Sequence, residues 1–185
     1  MQGHGRCLKL FLAFALLLVQ YAKGGEVDHS HRDTNVTGRC IERERKALLA
    51  FKRGLVDKAD LLSSWGSEAQ KQDCCRWVGV SCSNQTGHVI QVDLHGLYSL
   101  QGKMISPKLI ELHYLEHLDL GGINFIGIPV PDFIGSLSNL RYLDLSWTYF
   151  GGKFPSEVGN LTNLQYLALE AMFMIGRKPS ISFLN

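Results

Sequence analysis

Leu115-Glu116-His117-Leu118-Asp119-Leu120 is the stretch on which the fold turns. Its apolar pattern, Leu-x-x-Leu-x-Leu, recurs as Val89-x-x-Val92-x-Leu94 before it. It recurs again as Leu140-x-x-Leu143-x-Leu145 and Leu164-x-x-Leu167-x-Leu169 after it, at steps of 26, 25 and 24 residues. One such string is common by chance; four at near-constant spacing mark a repeat architecture with a period in the range of about 20–29 residues. The 28 leucines among 185 residues agree with that reading. Each string predicts a short strand whose aliphatic side chains point inward, because successive strand residues face opposite sides. Successive strands pair in parallel into a concave sheet, and each coil buries its leucines only against the next.

The unequal steps have a local cause. Asp144 is followed eight residues later by Gly152, and Pro155 stands three beyond. Asp119 to Gly127 is again eight, but Pro131 is four further on, an insertion of one within Ile128-Pro129-Val130. Asp93 to Gly102 is nine, and Ser106 stands four later where proline is expected, which makes two. All three insertions fall outside the strands, where loops tolerate them. The return path offers Leu137, Phe150, Phe154, Val158 and Leu161 as further core. Residues between the leucines are expected on the solvent side of the concave face: Gln91, Asp93 and His95, then His117, Asp119 and Gly121, then Tyr142, Asp144, Ser146 and Trp147, then Tyr166, Ala168 and Glu170.

The segment before the first string is different. Residues 41–56 place Leu48, Phe51 and Leu55 at i, i+3 and i+7, beside Ala47, Leu49 and Val56. They read as an amphipathic helix with Glu42, Arg43, Glu44, Arg45, Lys46 and Lys52 on its wet face. Leu61, Leu62, Trp65, Trp77, Val78 and Val80 continue the apolar contacts. Together with Cys40, Cys74, Cys75 and Cys82 this reads as a disulfide-stapled cap over the first coil. Cys74 and Cys75 are neighbours, so a bridge between them would be strained. Cys40 therefore pairs with one of them and Cys82 with the other.

Residues 1–24 are expected to be a secretory signal. Arg6 and Lys9 precede the apolar run Leu10–Val19, too short to span a bilayer as a helix, which needs about 20 residues. Residues 25–38, polar and nearly free of apolar side chains, read as a flexible mature N-terminus. Of the 19 Lys and Arg residues, Arg6, Lys9 and Lys23 lie in the leader, leaving 16 against 17 acids. The formal net charge of +2 thus signals no basic surface, and nucleic acid is not an expected partner. Secretion makes the disulfides plausible. It also makes Asn35, Asn84 and Asn160, each in an Asn-x-Thr triplet, candidate N-glycan sites.

Catalytic and cofactor patterns are missing. Gly102-Lys103 lacks the spacing of a phosphate loop, and His113 and His117 lie in strand register with no HExxH order. The column Asp93, Asp119, Asp144 reads as solvated structural acid rather than a glycosidase pair. No enzyme, metal or cofactor is expected.

The cap segments Cys40-Ile41-Glu42, Ala47-Leu48-Leu49-Ala50-Phe51-Lys52, Leu62-Ser63-Ser64-Trp65 and Asp73-Cys74-Cys75-Arg76-Trp77-Val78-Gly79-Val80-Ser81-Cys82 resemble the plant leucine-rich-repeat N-terminal domain. Gly87-His88-Val89-Ile90, Ile105-Ser106-Pro107 and the run from Phe133 to Ser146 are similar to plant receptor-like proteins of the ethylene-inducing xylanase receptor kind. The resemblance covers about residues 39–169. It implies a leucine-rich-repeat solenoid, with a helical cap over 39–86 and three to four repeats over 87–170. It implies bridges Cys40–Cys74 and Cys75–Cys82. It also implies an extracellular or plasma-membrane role in defence or developmental signalling, binding a peptide, glycan or protein with a kinase-bearing co-receptor. The concave residues His117, Asp119, Tyr142, Asp144, Ser146, Trp147 and Tyr166 are the candidate contacts. The alternatives are a soluble polygalacturonase-inhibitor-like apoplastic protein and a truncated remnant without function.

The chain departs from the family in two ways. The family's asparagine ladder is replaced by Leu97, Ile123, Thr148 and Met172, of which only Thr148 has a side chain able to bond between coils. Residues 171–185 lose the glycine and proline landmarks and read as an aberrant, truncated tail.

Overall fold

The computed structural model describes residues 40–170. The expected signal peptide, the mature N-terminus with Asn35, and the tail over 171–185 lie outside the described residues.

Helix α1 spans Glu42–Lys52. Glu42 and Glu44 sit in its first turn and Lys52 in its last, which suits the helix dipole at both ends. Ala47, Leu48 and Phe51 are buried. The apolar pattern runs on to Val56, but the helix does not. Leu55–Val56 forms strand β1 instead, antiparallel to β4 at Gln101–Gly102. The reason is the docking of the chain at Gly54. Its carbonyl accepts from the Lys103 amide at 2.8 Å, and a side chain there would collide with the Met104 carbonyl.

Strand β2 (Val80–Cys82) pairs antiparallel with β3 (Val89–Asp93), so the cap supplies the first strand of the main sheet. Strands β5 (His117–Asp119), β6 (Tyr142–Asp144) and β7 (Tyr166–Ala168) then follow β3 in parallel. Gln91 lies opposite His117, His117 opposite Tyr142, and Tyr142 opposite Tyr166. That register reproduces the 26-, 25- and 24-residue steps of the sequence. Val92, Leu118 and Leu143 are wholly buried at successive rungs; Leu167 on β7 is half-buried.

The outer side of each coil turns through a short 3₁₀ segment: Pro107–Glu111, Asp132–Ser136 and Ser156–Asn160. Ser106, Pro131 and Pro155 stand at the same position before these segments. Where the serine replaces proline, its hydroxyl accepts from the Lys108 amide at 3.3 Å. Leu137, Phe150, Val158 and Leu161 are buried and Phe154 is half-buried, as the return path requires.

Coil-to-coil bonding does not depend on an asparagine ladder. The Leu94 amide donates to the Asp119 carbonyl, Leu120 to Asp144, and Leu145 to Ala168, all at 2.9–3.0 Å. The Phe125 amide donates to the Thr148 carbonyl at 2.7 Å. Thr148, the residue expected to bond between coils, turns its hydroxyl onto the Leu145 carbonyl of its own coil. Buried Ile123 adds apolar contact where the family pattern has an amide.

The cap is one cluster with the coils. Trp65 stacks on Trp77 with centroids 5.3 Å apart, and both indole N–H groups donate to backbone carbonyls, of Val78 and Lys71. Cysteine pairs 40–74 and 75–82 are bonded. Two residues expected on the wet face of α1 turn inward. Lys52 donates to the Leu62 and Trp65 carbonyls at 2.7 and 2.8 Å. Glu44 is fully buried and accepts from the Val89 amide at 2.7 Å, while its other oxygen meets His88 Nδ1 at 2.7 Å. It thereby gives the first amide of β3 a buried acceptor outside the sheet. Glu44→Ala is expected to lower the unfolding free energy by about 2–3 kcal/mol in urea titrations, since a buried amide loses its acceptor. A change below about 0.5 kcal/mol, the range of neutral surface substitutions, would contradict that role.

Candidate functional site

Two columns of side chains cross the concave sheet. In-register neighbours of a parallel sheet are about 4.8 Å apart, so flat rings at matching positions lie face to face. His117 stacks on Tyr142 with centroids 4.0 Å apart and planes 7° apart. Tyr142 stacks on Tyr166 at 4.3 Å and 4°. The three rings form a continuous ladder over β5, β6 and β7. Its Tyr166 end is 48% exposed, while Tyr142 in the middle is half-buried.

The second column is Asp93, Asp119 and Asp144, also in register. Each Oδ1 accepts the backbone amide two residues on: His95 at 3.0 Å, Gly121 at 2.8 Å and Ser146 at 2.7 Å. These bonds end each strand and turn the chain out of the sheet. The carboxylates were expected to be solvated; Asp119 and Asp144 are instead buried. A short polar side chain that bonds its own turn lies back against the sheet, and the Tyr142 hydroxyl comes within 3.5 Å of Asp119 Oδ2. Burial raises the Asp119 carboxyl above the ordinary aspartate range, the Gly121 amide opposes this, the charges of Asp144 and Asp93 add to it, and His95 opposes it. Burial, with Asp119 and Asp144 adding, also raises the Tyr142 phenol.

Ser146 is buried as well, so it offers no contact surface, and Asp144 offers little. Trp147 does. Its φ of 59° throws the side chain out after β6, where it is 53% exposed, while its amide is anchored to the Glu170 carbonyl at 2.7 Å. Of the seven expected contacts, His117, Tyr142, Trp147 and Tyr166 therefore present surface. His113 does not lie in strand register with His117. It is exposed in the turn before β5, beside Arg43. Asn84 and Asn160 are exposed.

The family described as "Leucine rich repeat N-terminal domain" matches residues 41–83, and "Leucine Rich Repeat" matches 139–161. The chain is a leucine-rich-repeat protein. Its cap and one of its coils are what those two families describe. This leucine-rich-repeat chain is 47% identical over 125 residues to Receptor-like protein EIX1 of Solanum lycopersicum, covering 61% of the chain and 12% of that protein. To Receptor-like protein EIX2 of the same plant it is 43% identical over 151 residues, covering 77% and 14%. The chain thus spans well under a fifth of the length of these relatives. Among solved structures it is similar to the ectodomain of the Arabidopsis thaliana receptor kinase GASSHO1/SCHENGEN3 in complex with Casparian strip integrity factor 2. The TM-score is 0.58 at 30% identity, over 69% of this chain and 15% of that one. The resemblance to plant receptor-like proteins read from its residues stands on these similarities. Among the described residues no helix is long and apolar enough to cross a membrane.

Proposed function

We propose that this protein is an extracellular recognition module, the N-terminal part of a plant receptor-like protein in defence or developmental signalling. It holds a peptide, glycan or protein on its concave face, and a kinase-bearing co-receptor carries the signal. The ring ladder of His117, Tyr142 and Tyr166, together with exposed Trp147 after β6, carries this reading. Preordered aromatic surface on a rigid sheet contributes large contact area at small entropic cost, which is how binding hot spots are built. The similarity to receptor-like proteins and to a receptor ectodomain solved in complex supports the same reading. Exposed Asn84 and Asn160 would carry N-glycans.

The test uses an ethylene-inducing xylanase as probe. Trp65 and Trp77 are buried, so Trp147 is the exposed indole among the described residues and dominates acrylamide quenching. Xylanase binding is expected to protect it. Tyr142→Ala with Trp147→Ala is expected to weaken binding at least about tenfold, the loss typical of two contact residues. A xylanase that does not bind, or that binds the double variant equally well, overturns this assignment of the face.

A further inference from the structure

We propose that Asp93, His117 and Asp119 bind one divalent transition-metal cation on the concave face, with Zn²⁺ the best match, and that His95 and Asp144 support it from the adjoining coils. One ligand atom from each of Asp93, His117 and Asp119 lies within 4.8 Å of the others, and the same holds for His95, Asp119 and Asp144. The two groups share Asp119. His117 Nε2 stands 4.0 Å from Asp93 Oδ2, and His95 Nδ1 stands 3.6 Å from Asp119 Oδ1. Donors around a tetrahedral Zn²⁺ at about 2.1 Å are about 3.4 Å apart, so small side-chain rotations close the site.

Three observations point to a cation rather than to a set of ordinary polar contacts. First, His117 Nε2 is shielded from solvent and has no hydrogen-bond partner. A buried nitrogen left unmade is costly, and the stack on Tyr142 holds this ring so that the nitrogen stays beside the two carboxylates. Second, Oδ1 of Asp93 and of Asp119 each cap a turn, which leaves the second oxygen of each as an available ligand. Their neighbours there are weak: Gln91 Nε2 at 3.4 Å from Asp93 Oδ2, and the Tyr142 hydroxyl at 3.5 Å from Asp119 Oδ2. Third, the lack of a side chain at Gly121 lets three donors of the second group converge on one point. A Cβ on it would lie 2.9 Å from His95 Nδ1, 3.0 Å from Asp119 Oδ1 and 3.5 Å from Asp144 Oδ1.

The charge balance agrees. Three carboxylates stand in register on neighbouring strands, two of them buried, and they repel one another. A divalent cation neutralises that repulsion. Mixed imidazole and carboxylate donors suit Zn²⁺ and its first-row neighbours, whereas an all-oxygen shell would suit Ca²⁺. With three protein ligands, a fourth position stays open toward the concave side. Sequence spacing does not reveal this set: His117 and Asp119 are two residues apart, but Asp93 arrives from the coil 26 residues earlier.

The inference does not rest on the ligand-recognition reading, because the probe is Zn²⁺ alone. The disulfide-bonded full chain, treated with chelator and desalted, is titrated with ZnCl₂ by calorimetry. One saturable equivalent is expected. His117→Gln, which keeps most of the side-chain volume, and Asp93→Asn are each expected to weaken it by more than about tenfold. A His29→Ala/His31→Ala variant removes the chain's HxH pair and is expected to bind as tightly as the parent. Millimolar CaCl₂ is expected not to compete. Circular dichroism and the melting temperature confirm that each variant is folded. Absence of saturable binding, binding unchanged by both His117→Gln and Asp93→Asn, or binding lost with His29 and His31 overturns the proposal.

Discussion

Leu118→Ala is expected to lower the unfolding free energy by about 3–5 kcal/mol. Leu118 is fully buried at the middle of β5, between Val92 and Leu143 in register. Removing its branched end takes apolar surface out of the interior and leaves a cavity. The cavity cannot collapse readily, because the rungs on either side are held by backbone bonds from Leu94 to Asp119 and from Leu120 to Asp144. The transition in urea should move to lower concentration with its slope unchanged. Met104→Ala, at a residue 51% exposed, serves as the control and should stay within about 0.5 kcal/mol. Equal losses at the two positions would mean that the leucines do not share one interior.

The second large effect is expected in the cap. Cys40–Cys74 closes a sequence separation of 34 residues, and Cys75–Cys82 a separation of seven. Chain-entropy reasoning gives about 4 kcal/mol for the first and about 2.5 kcal/mol for the second. Paired Cys→Ala variants, melted side by side, should therefore rank with the Cys40/Cys74 pair less stable. The longer bridge also ties the start of α1 to the segment that Trp77 and β2 follow, so its loss frees the helix from the sheet. A reversed ranking would show that strain or residual unfolded-state structure outweighs loop closure.

The repeat was legible because burial of one leucine per rung imposes a period, and the period carries the register with it. Steps of 26, 25 and 24 residues reappear as the pairings of His117 with Gln91, Tyr142 and, through it, Tyr166. The two bridges were legible only through family resemblance, since the adjacency of Cys74 and Cys75 left two pairings open. Other features were not legible, and for one physical reason. Alternation says which face a side chain leaves from, but not how deep it then lies. Asp119 and Asp144 leave toward solvent and fold back onto their own turns, where they are buried. Glu44 leaves from a helix face that reads as wet and meets an amide 45 residues away. The helix stops at Lys52 because Gly54 docks on the first coil, a tertiary contact that outweighs the apolar pattern running on to Val56. At the candidate site, the sequence named the ladder residues one at a time. That His117, Tyr142 and Tyr166 stack follows only from the register.

Amide hydrogen exchange on the intact chain tests most directly whether cap and coils are one stacked body. The amides of Leu94, Leu120 and Leu145 each bond the following coil, and that of Asp93 bonds Gly79 in the cap at 2.7 Å. All four should be strongly protected and should lose protection over the same narrow range of added denaturant. Protected cap amides beside Leu120 and Leu145 amides that exchange at unfolded-chain rates would contradict a shared interior, and with it the rigid concave face.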